Sequence, residues 1–224
     1  MGTNQVKFKG DKKTSTSILF GVEAKFVEKT IGLIPKWIET YYLTMMTLVW
    51  SGLVVCFGYL AKNDNLNWLW MVSLMVLLQY LTDLFDGKIG KLKNTGLIRW
   101  GYYMDHFLDY IFLSSILFAY SFFLPENMKS FGFWMAIVAI GFVVNSYLGF
   151  ASTDKFKIYF FRIGPTEARL LFILLNIFII FAGVKTFLTI IPWFVVIASL
   201  SLLAVVFRMQ RKIWKMDMEQ KSRK

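Results

Sequence analysis

Six apolar runs, each long enough to cross a bilayer, constrain this chain more than any other feature of its sequence. They cover roughly residues 41–61, 67–85, 103–124, 131–150, 167–184 and 186–207. A helix needs about 20 apolar residues to span the hydrocarbon core, and 57% of the chain is hydrophobic whereas only 17% is charged. The sequence therefore predicts an all-α integral membrane protein, with six transmembrane helices in one domain over residues 41–207.

The segments on either side of this domain are polar or amphipathic. Residues 1–17 contain no apolar run and no cleavage pattern of a signal peptide, which predicts a disordered polar head. Between 18 and 40, apolar residues recur at helical spacing opposite charged ones, which is typical of an amphipathic helix that lies on the membrane surface. Residues 208–224 are expected to form a basic cytoplasmic tail.

The distribution of cations predicts how the chain is oriented in the membrane. Of the 25 lysines and arginines, 22 fall before residue 40, in 86–100, in 151–169 or after residue 207. Connections rich in Lys and Arg stay in the cytoplasm, so both termini and a loop over 86–100 are expected there, at the plasma membrane if the cell is bacterial. Topology and attraction to anionic lipid explain the net charge of +11, and no nucleic-acid partner is expected.

Four aspartates lie in or beside the second and third apolar runs. Asp83 and Asp86 are three residues apart, and Asp105 and Asp109 are four apart, so on helices each pair projects from one face. Acids that converge at membrane depth repel each other unless a cation lies between them. Carboxylate oxygens suit Mg²⁺, Mn²⁺ or Ca²⁺, and two such ions can clamp a pyrophosphate. The alternative is that the acids only pair with lysines of the 86–100 loop.

Together with Gly87 and Gly101, these acids resemble the signature of the CDP-alcohol phosphatidyltransferases, Asp-x2-Asp-Gly-x2-Ala-Arg-x8-Gly-x3-Asp-x3-Asp. The chain has all four acids and both glycines of this signature. It differs in having Gly90 and Lys91 at the Ala-Arg pair, and in one additional residue before Gly101. Lysine keeps the positive charge but lacks the bidentate fork of arginine.

The resemblance implies a six-helix enzyme, usually a homodimer, that moves a phosphoalcohol group from a CDP-linked donor to an acceptor hydroxyl and releases CMP. It implies that Asp83, Asp86, Asp105 and Asp109 hold two Mg²⁺ or Mn²⁺ ions, and that Asp109 also takes the proton of the acceptor. Lys91 would replace the missing arginine as a phosphate contact. The residues expected to contact the nucleotide are Thr44, Gly87, Gly90, Lys91, Gly101, Arg162 and Glu167.

Two further features resemble the aminoalcohol branch of this family. His106, the single histidine, follows the third acid as it does in choline and ethanolamine phosphotransferases, and it is expected to act as a general base. The alternative is a structural histidine. The run Gly164-Pro165-Thr166-Glu167 predicts a helix start. It also resembles plant-type aminoalcohol phosphotransferases, and such a start can bind phosphate with help from Arg162 and Arg169.

These features favour a CDP-aminoalcohol donor, such as CDP-choline or CDP-ethanolamine, and a diacylglycerol-like lipid acceptor. The alternative within the family is the transfer of a phosphatidyl group from CDP-diacylglycerol to a small polar alcohol. An alternative from another class is a divalent-cation transporter that uses the same acids. A transporter would place them near the bilayer midplane on broken helices, whereas these acids lie at one side, beside a basic segment.

Overall fold

The computed structural model describes residues 20–35, 37–93, 97–153 and 164–222, and over these ranges every regular element is a helix. The predicted head, residues 1–17, lies outside them. The six α-helices are α1 (Phe20–Thr30), α2 (Thr40–Asn63), α3 (Trp68–Lys93), α4 (Ile98–Ser121), α5 (Lys129–Thr153) and α6 (Pro165–Lys221). Single 3₁₀ turns at Ile31–Leu33 and Glu126–Met128 follow α1 and precede α5.

Four helices in the described part of the chain are long and apolar enough to cross a membrane. They are α2, α3, α5 with its preceding 3₁₀ turn, and α6. The third predicted run lies in α4, which carries Asp105, His106 and Asp109 and is not one of these four helices. These helices indicate a protein embedded in the membrane.

The long helix α6 changes direction at Gly183, where the backbone has a positive φ of 80°. Arg169 contacts α4 at Asp109. Met209 packs against Gly149, close to the turn of α5 that hydrogen-bonds to α4 beside the acids. A straight helix would place Arg169 and Met209 on the order of 60 Å apart. The chain therefore turns back at Gly183, and the last two predicted apolar runs both fall within α6.

The core lies where α2, α3, α4 and α6 meet. Val54, Ile116 and Ile179 are fully buried there. α2 and α4 approach each other closely at Gly58, since a Cβ added at this position would lie 2.6 Å from the Cβ of Ala119. Small residues permit such close approach, which is how helices gain contact in a membrane. α2 thus packs closely against α4, and it also packs along α3.

A buried network of neutral hydrogen bonds, here called the Asn176 network, joins α3, α4 and α6. The hydroxyl of Tyr120 donates to Oδ1 of Asn176 at 2.8 Å. Nδ2 of Asn176 donates to the hydroxyl of Ser73 at 3.0 Å, which donates to the carbonyl of Leu69. A buried amide destabilises the fold unless its polar atoms find partners, so this network fixes how the three helices pack.

The prediction of a loop over residues 86–100 is wrong. The helix α3 continues to Lys93 and α4 begins at Ile98, so only residues 94–97 separate them. Lysine is a good helix former, and a glycine costs a helix only about 1 kcal/mol. Here these residues mark where α3 leaves the apolar layer rather than where it ends. Lys93 contributes a further contact, because its Nζ donates to the carbonyl of Ile38 at 2.7 Å.

The helix predicted over residues 18–40 is shorter in the structure. The described part of α1 ends at Thr30, a single 3₁₀ turn follows, and Ile34 is extended. Ile34 precedes Pro35, and the ring of a proline excludes the helical conformation from the residue before it. The apolar side chains of α1 are only partly buried, since Val27 is 2% exposed and Phe26 is 44% exposed.

Candidate active site

Three carboxylates converge at the end of the bundle where α3 is joined to α4. Asp83 and Asp86 project from the last turns of α3, and Asp105 projects from the second turn of α4. One oxygen from each of the three lies within 4.8 Å of the other two. Spacings of three residues on one helix and a short connection to the next bring these acids together, as the sequence predicts.

Two threonines of α2 hold Asp86 in place. The side chain is buried, and its Oδ2 lies 3.1 Å from the hydroxyl of Thr44. The hydroxyl of Thr40 donates to the backbone carbonyl of Asp86 at 3.3 Å. Thr44 also lies 2.9 Å from the carbonyl of Thr40, and its single proton serves one acceptor at a time. The structure thus places Thr44 on an acid of the cluster.

Asp109 lies apart from the group of three acids and is held by two other side chains. Its Oδ1 accepts hydrogen bonds from Nη2 of Arg169 at 2.9 Å and from Nε2 of Gln79 at 3.2 Å. The other terminal nitrogen of Arg169 lies 2.9 Å from Oδ2 of Asp83. Arg169 is 7% exposed, so a buried guanidinium links an acid of α3 to an acid of α4.

His106 is oriented by its own helix. Its Nδ1 lies 2.7 Å from the carbonyl oxygen of Tyr102 and 3.6 Å from Oδ2 of Asp105. A carbonyl can only accept, so the short contact requires a proton on Nδ1. In the neutral ring the lone pair is then on Nε2, which makes Nε2 the nitrogen that can take a proton. Tyr147 of α5 donates to the backbone carbonyl of His106 at 3.2 Å.

The glycines predicted to lie near the nucleotide border open space. A Cβ added at Gly87 or at Gly101 would meet no atom within 4 Å, so packing within the described chain does not require glycine there. Gly90 lies near the end of α3. Arg162 and the side chain of Lys91 lie outside the described residues.

Glu167 closes the first turn of α6, which starts at Pro165 as the sequence predicts. Its Oε2 accepts a hydrogen bond from the N–H of Gly164 at 2.9 Å, a contact that stabilises a helix start. The neighbouring Thr166 donates to Oε1 of Glu23 at 2.8 Å, and Tyr80 donates to the same oxygen at 3.0 Å. Glu23 therefore ties α1 to α3 and α6 beside the acids.

The acid cluster fits a divalent cation. Its donor atoms are carboxylate oxygens, which Mg²⁺ and Ca²⁺ prefer, and oxygens on opposite sides of such an ion lie about 4–5 Å apart. One carboxylate oxygen from each of the three acids lies within 4.8 Å of the other two. Four carboxylates share this end of the bundle with the single guanidinium of Arg169, so the described side chains leave a surplus of negative charge for cations to balance.

Sequence reasoning missed Gln79, and it named Arg169 as a phosphate contact at the start of α6 without its acid partners. The overlooked signal for Gln79 was its spacing. Gln79, Asp83 and Asp86 recur on one face of a helix in an apolar run. No local pattern predicted the acid partners of Arg169. Its partners lie on other helices, and a basic residue at a helix start usually faces water.

Residues 37–211 match the family model of CDP-alcohol phosphatidyltransferase. The match includes α2 to α5, most of α6 and all four aspartates, and the chain belongs to the CDP-alcohol phosphatidyltransferase family. No curated protein and no solved structure shows a significant similarity to it. Membership in the family implies a membrane transferase of phospholipid synthesis, which transfers a phosphoalcohol group from a CDP-alcohol to a lipid.

Proposed function

We propose that this protein transfers a phosphoaminoalcohol group from a CDP-linked donor to the hydroxyl of a diacylglycerol-like lipid, releases CMP, and requires Mg²⁺ or Mn²⁺. The observation that carries the proposal is the convergence of Asp83, Asp86 and Asp105 within 4.8 Å, in a chain of this family. The choice of an aminoalcohol donor rests on His106 and on the Gly-Pro-Thr-Glu run, which resemble that branch.

The acids and the histidine have different roles in this proposal. Asp83, Asp86 and Asp105 hold divalent cations, and Asp109 joins them as the fourth ligand. Two such ions, when bound, neutralise the pyrophosphate and stabilise the attacking and leaving oxygens. His106 takes the proton of the acceptor hydroxyl at Nε2, because its Nδ1 is committed to a carbonyl 2.7 Å away. Asp109 is the second candidate for the base.

The nucleotide is proposed to lie at the joined end of α3 and α4. Gly87 and Gly101 border open space there, and Lys91 and Arg162 would supply positive charge to its phosphates. Thr44 would orient Asp86 rather than touch the nucleotide, since it lies 3.1 Å from that carboxylate. Glu167, which caps α6, would fix the position of this helix start beside the donor.

The proposed topology has six membrane spans and places both termini and the acids in the cytoplasm. Counting α4 and both halves of α6 as spans gives six, and the turn at Gly183 supports this count. An interfacial role for α1 is supported by its exposed apolar side chains, and a homodimer is the expected assembly.

Reporters inserted at residues 94–96 and fused after residue 224 should both give cytoplasmic signals. A signal from the opposite side would contradict the topology.

A second candidate function is the transfer of a phosphatidyl group from CDP-diacylglycerol to a small polar alcohol, because the same acids serve both branches. The family match favours either transferase over the cation transporter considered from the sequence.

The decisive experiment compares donors on the purified full-length protein in nanodiscs. CMP release is measured with CDP-choline or CDP-ethanolamine plus diacylglycerol, and with CDP-diacylglycerol plus a panel of polar alcohols, each with Mg²⁺ or EDTA. We expect CMP from the first pair only, and only with Mg²⁺. The Asp105→Asn variant is the matched control. Product from CDP-diacylglycerol alone would assign the second function.

A further inference from the structure

Arg169 is the one charged side chain of α6 that enters the acid site in the described structure. Its two terminal nitrogens lie 2.9 Å from Asp83 and 2.9 Å from Asp109. The carbon at the centre of the guanidinium lies 5.9 Å from the ring of Tyr80. These contacts make Arg169 an internal cation that neutralises part of the charge of two acids.

The same contacts occupy one carboxylate oxygen of Asp109, which is a metal ligand in the proposed function. Oδ1 of Asp109 receives N–H groups from Arg169 and from Gln79 at 2.9 and 3.2 Å. A cation cannot bind this oxygen while two donor hydrogens point at it. The group of Asp83, Asp86 and Asp105 is already compact enough for one ion. The arrangement therefore favours one divalent ion together with one guanidinium.

Phosphate offers Arg169 an alternative partner. A guanidinium forms paired hydrogen bonds with phosphate as readily as with carboxylate, and a donor with a pyrophosphate would bring phosphate oxygens to this site. Movement of the guanidinium towards phosphate would leave Asp109 negative and able to attract a second ion.

We propose that Arg169 is a positioning residue that couples metal binding to donor binding. Without nucleotide it holds Asp109, so that the site takes one divalent ion. When the pyrophosphate of the donor binds, the guanidinium exchanges Asp109 for phosphate, and Asp109 completes the site for a second ion. This inference rests on the proposed function, because it assumes that the acids bind divalent cations and that the donor carries a pyrophosphate.

The test measures Mn²⁺ bound per chain by electron paramagnetic resonance, on the full-length protein in nanodiscs, with and without CDP. We expect the wild type to bind one Mn²⁺ alone and two with CDP. Arg169→Gln should bind two in either case, because Asp109 then keeps only the neutral hydrogen bond from Gln79 and its charge is no longer offset by a guanidinium. Arg211→Gln, which removes an exposed charge from the same helix, is the control and should behave as the wild type.

Other outcomes separate this inference from the proposed function. Two Mn²⁺ ions on the wild type without CDP, or one on folded Arg169→Gln without CDP, would overturn the inference and leave the metal site standing. If Arg169→Gln does not fold, Arg169→Lys decides, because a lysine keeps the charge without the fork. The Arg169→Lys variant should bind the second Mn²⁺ without CDP at least about tenfold more tightly than the wild type. Equal affinity would overturn the inference. The absence of Mn²⁺ from every variant, with and without CDP, would overturn the metal-dependent function itself.

Discussion

The acid site and the Asn176 network join the same three helices, α3, α4 and α6, but they differ in how their polar groups are balanced. In the network, both polar atoms of Asn176 have partners, and no member is charged. In the site, four carboxylates share one end of the bundle, and the one guanidinium among the described side chains there contacts two of them. Ser73 and Asp83 lie about 15 Å apart along α3, so one helix carries both arrangements.

The difference indicates which polar residues serve the fold and which serve chemistry. A neutral network whose atoms are all paired is complete by itself, and it stabilises helix packing by about 0.6 kcal/mol for each hydrogen bond in a membrane. A cluster with surplus charge is incomplete, because it needs cations from solution to offset repulsion and desolvation. Burial alone would not separate the two regions, since Asp86 and Ser73 are almost equally buried.

Removal of one carboxylate from the cluster should have the largest effect. Asp86→Asn or Asp105→Asn is expected to reduce CMP release below detection, because each variant loses a metal ligand that the transition state requires. The protein should still fold, and without metal its melting temperature should not decrease, since repulsion is relieved. Normal CMP release by either variant at saturating Mg²⁺ would remove the distinction between the site and the network.

His106→Ala should have the next largest effect. Loss of a general base lowers turnover by about 10²- to 10⁴-fold, and the decline in rate towards acid pH should disappear with the imidazole. Metal-dependent binding of CDP should remain, because His106 is not a proposed ligand. Turnover near that of the wild type would return the base to Asp109, and it would remove the main reason for preferring an aminoalcohol donor.

Nucleotide should stabilise the protein only when a divalent ion is present. Such an ion would offset the repulsion between the carboxylates and the pyrophosphate. At 100 times its dissociation constant, CDP should add about 2.7 kcal/mol to the free energy of unfolding. The measurement is the melting temperature with CDP in Mg²⁺ and in EDTA. Equal stabilisation in EDTA would mean that CDP binds without the acids, and AMP is the control nucleotide.

The smallest effect is expected in the Asn176 network. Asn176→Leu removes hydrogen bonds to Ser73 and Tyr120, each worth up to about 1.7 kcal/mol in a membrane, and should lower the melting temperature. CMP release by the folded fraction should stay within about twofold of the wild type. A loss comparable to that of Asp105→Asn would show that the network also serves the reaction.

Spacing in the sequence predicted the part of the site that depends on single helices and on one short connection. Asp83, Asp86 and Asp105 converge because helical periodicity places each on an inner face. The partners of Asp109 could not be predicted in this way, because Arg169 lies 60 residues further along the chain and only tertiary packing brings it close. The sequence interpretation ended α3 too early. The charged residues after Asp86 show where the helix leaves the membrane, but the helix itself ends only where its backbone hydrogen bonds end.

Gly183 also bears on how the protein is made. Because the two halves of α6 are joined without a loop, a ribosome would deliver them to the membrane as one hairpin, and Lys185 is the single charged residue between positions 170 and 207. In the proposed topology, that lysine would cross the bilayer together with both apolar halves. A residue other than glycine would adopt this positive φ at a penalty of about 1–2 kcal/mol. Biogenesis would be affected first, so cells would accumulate less inserted protein while each inserted molecule still turned over normally.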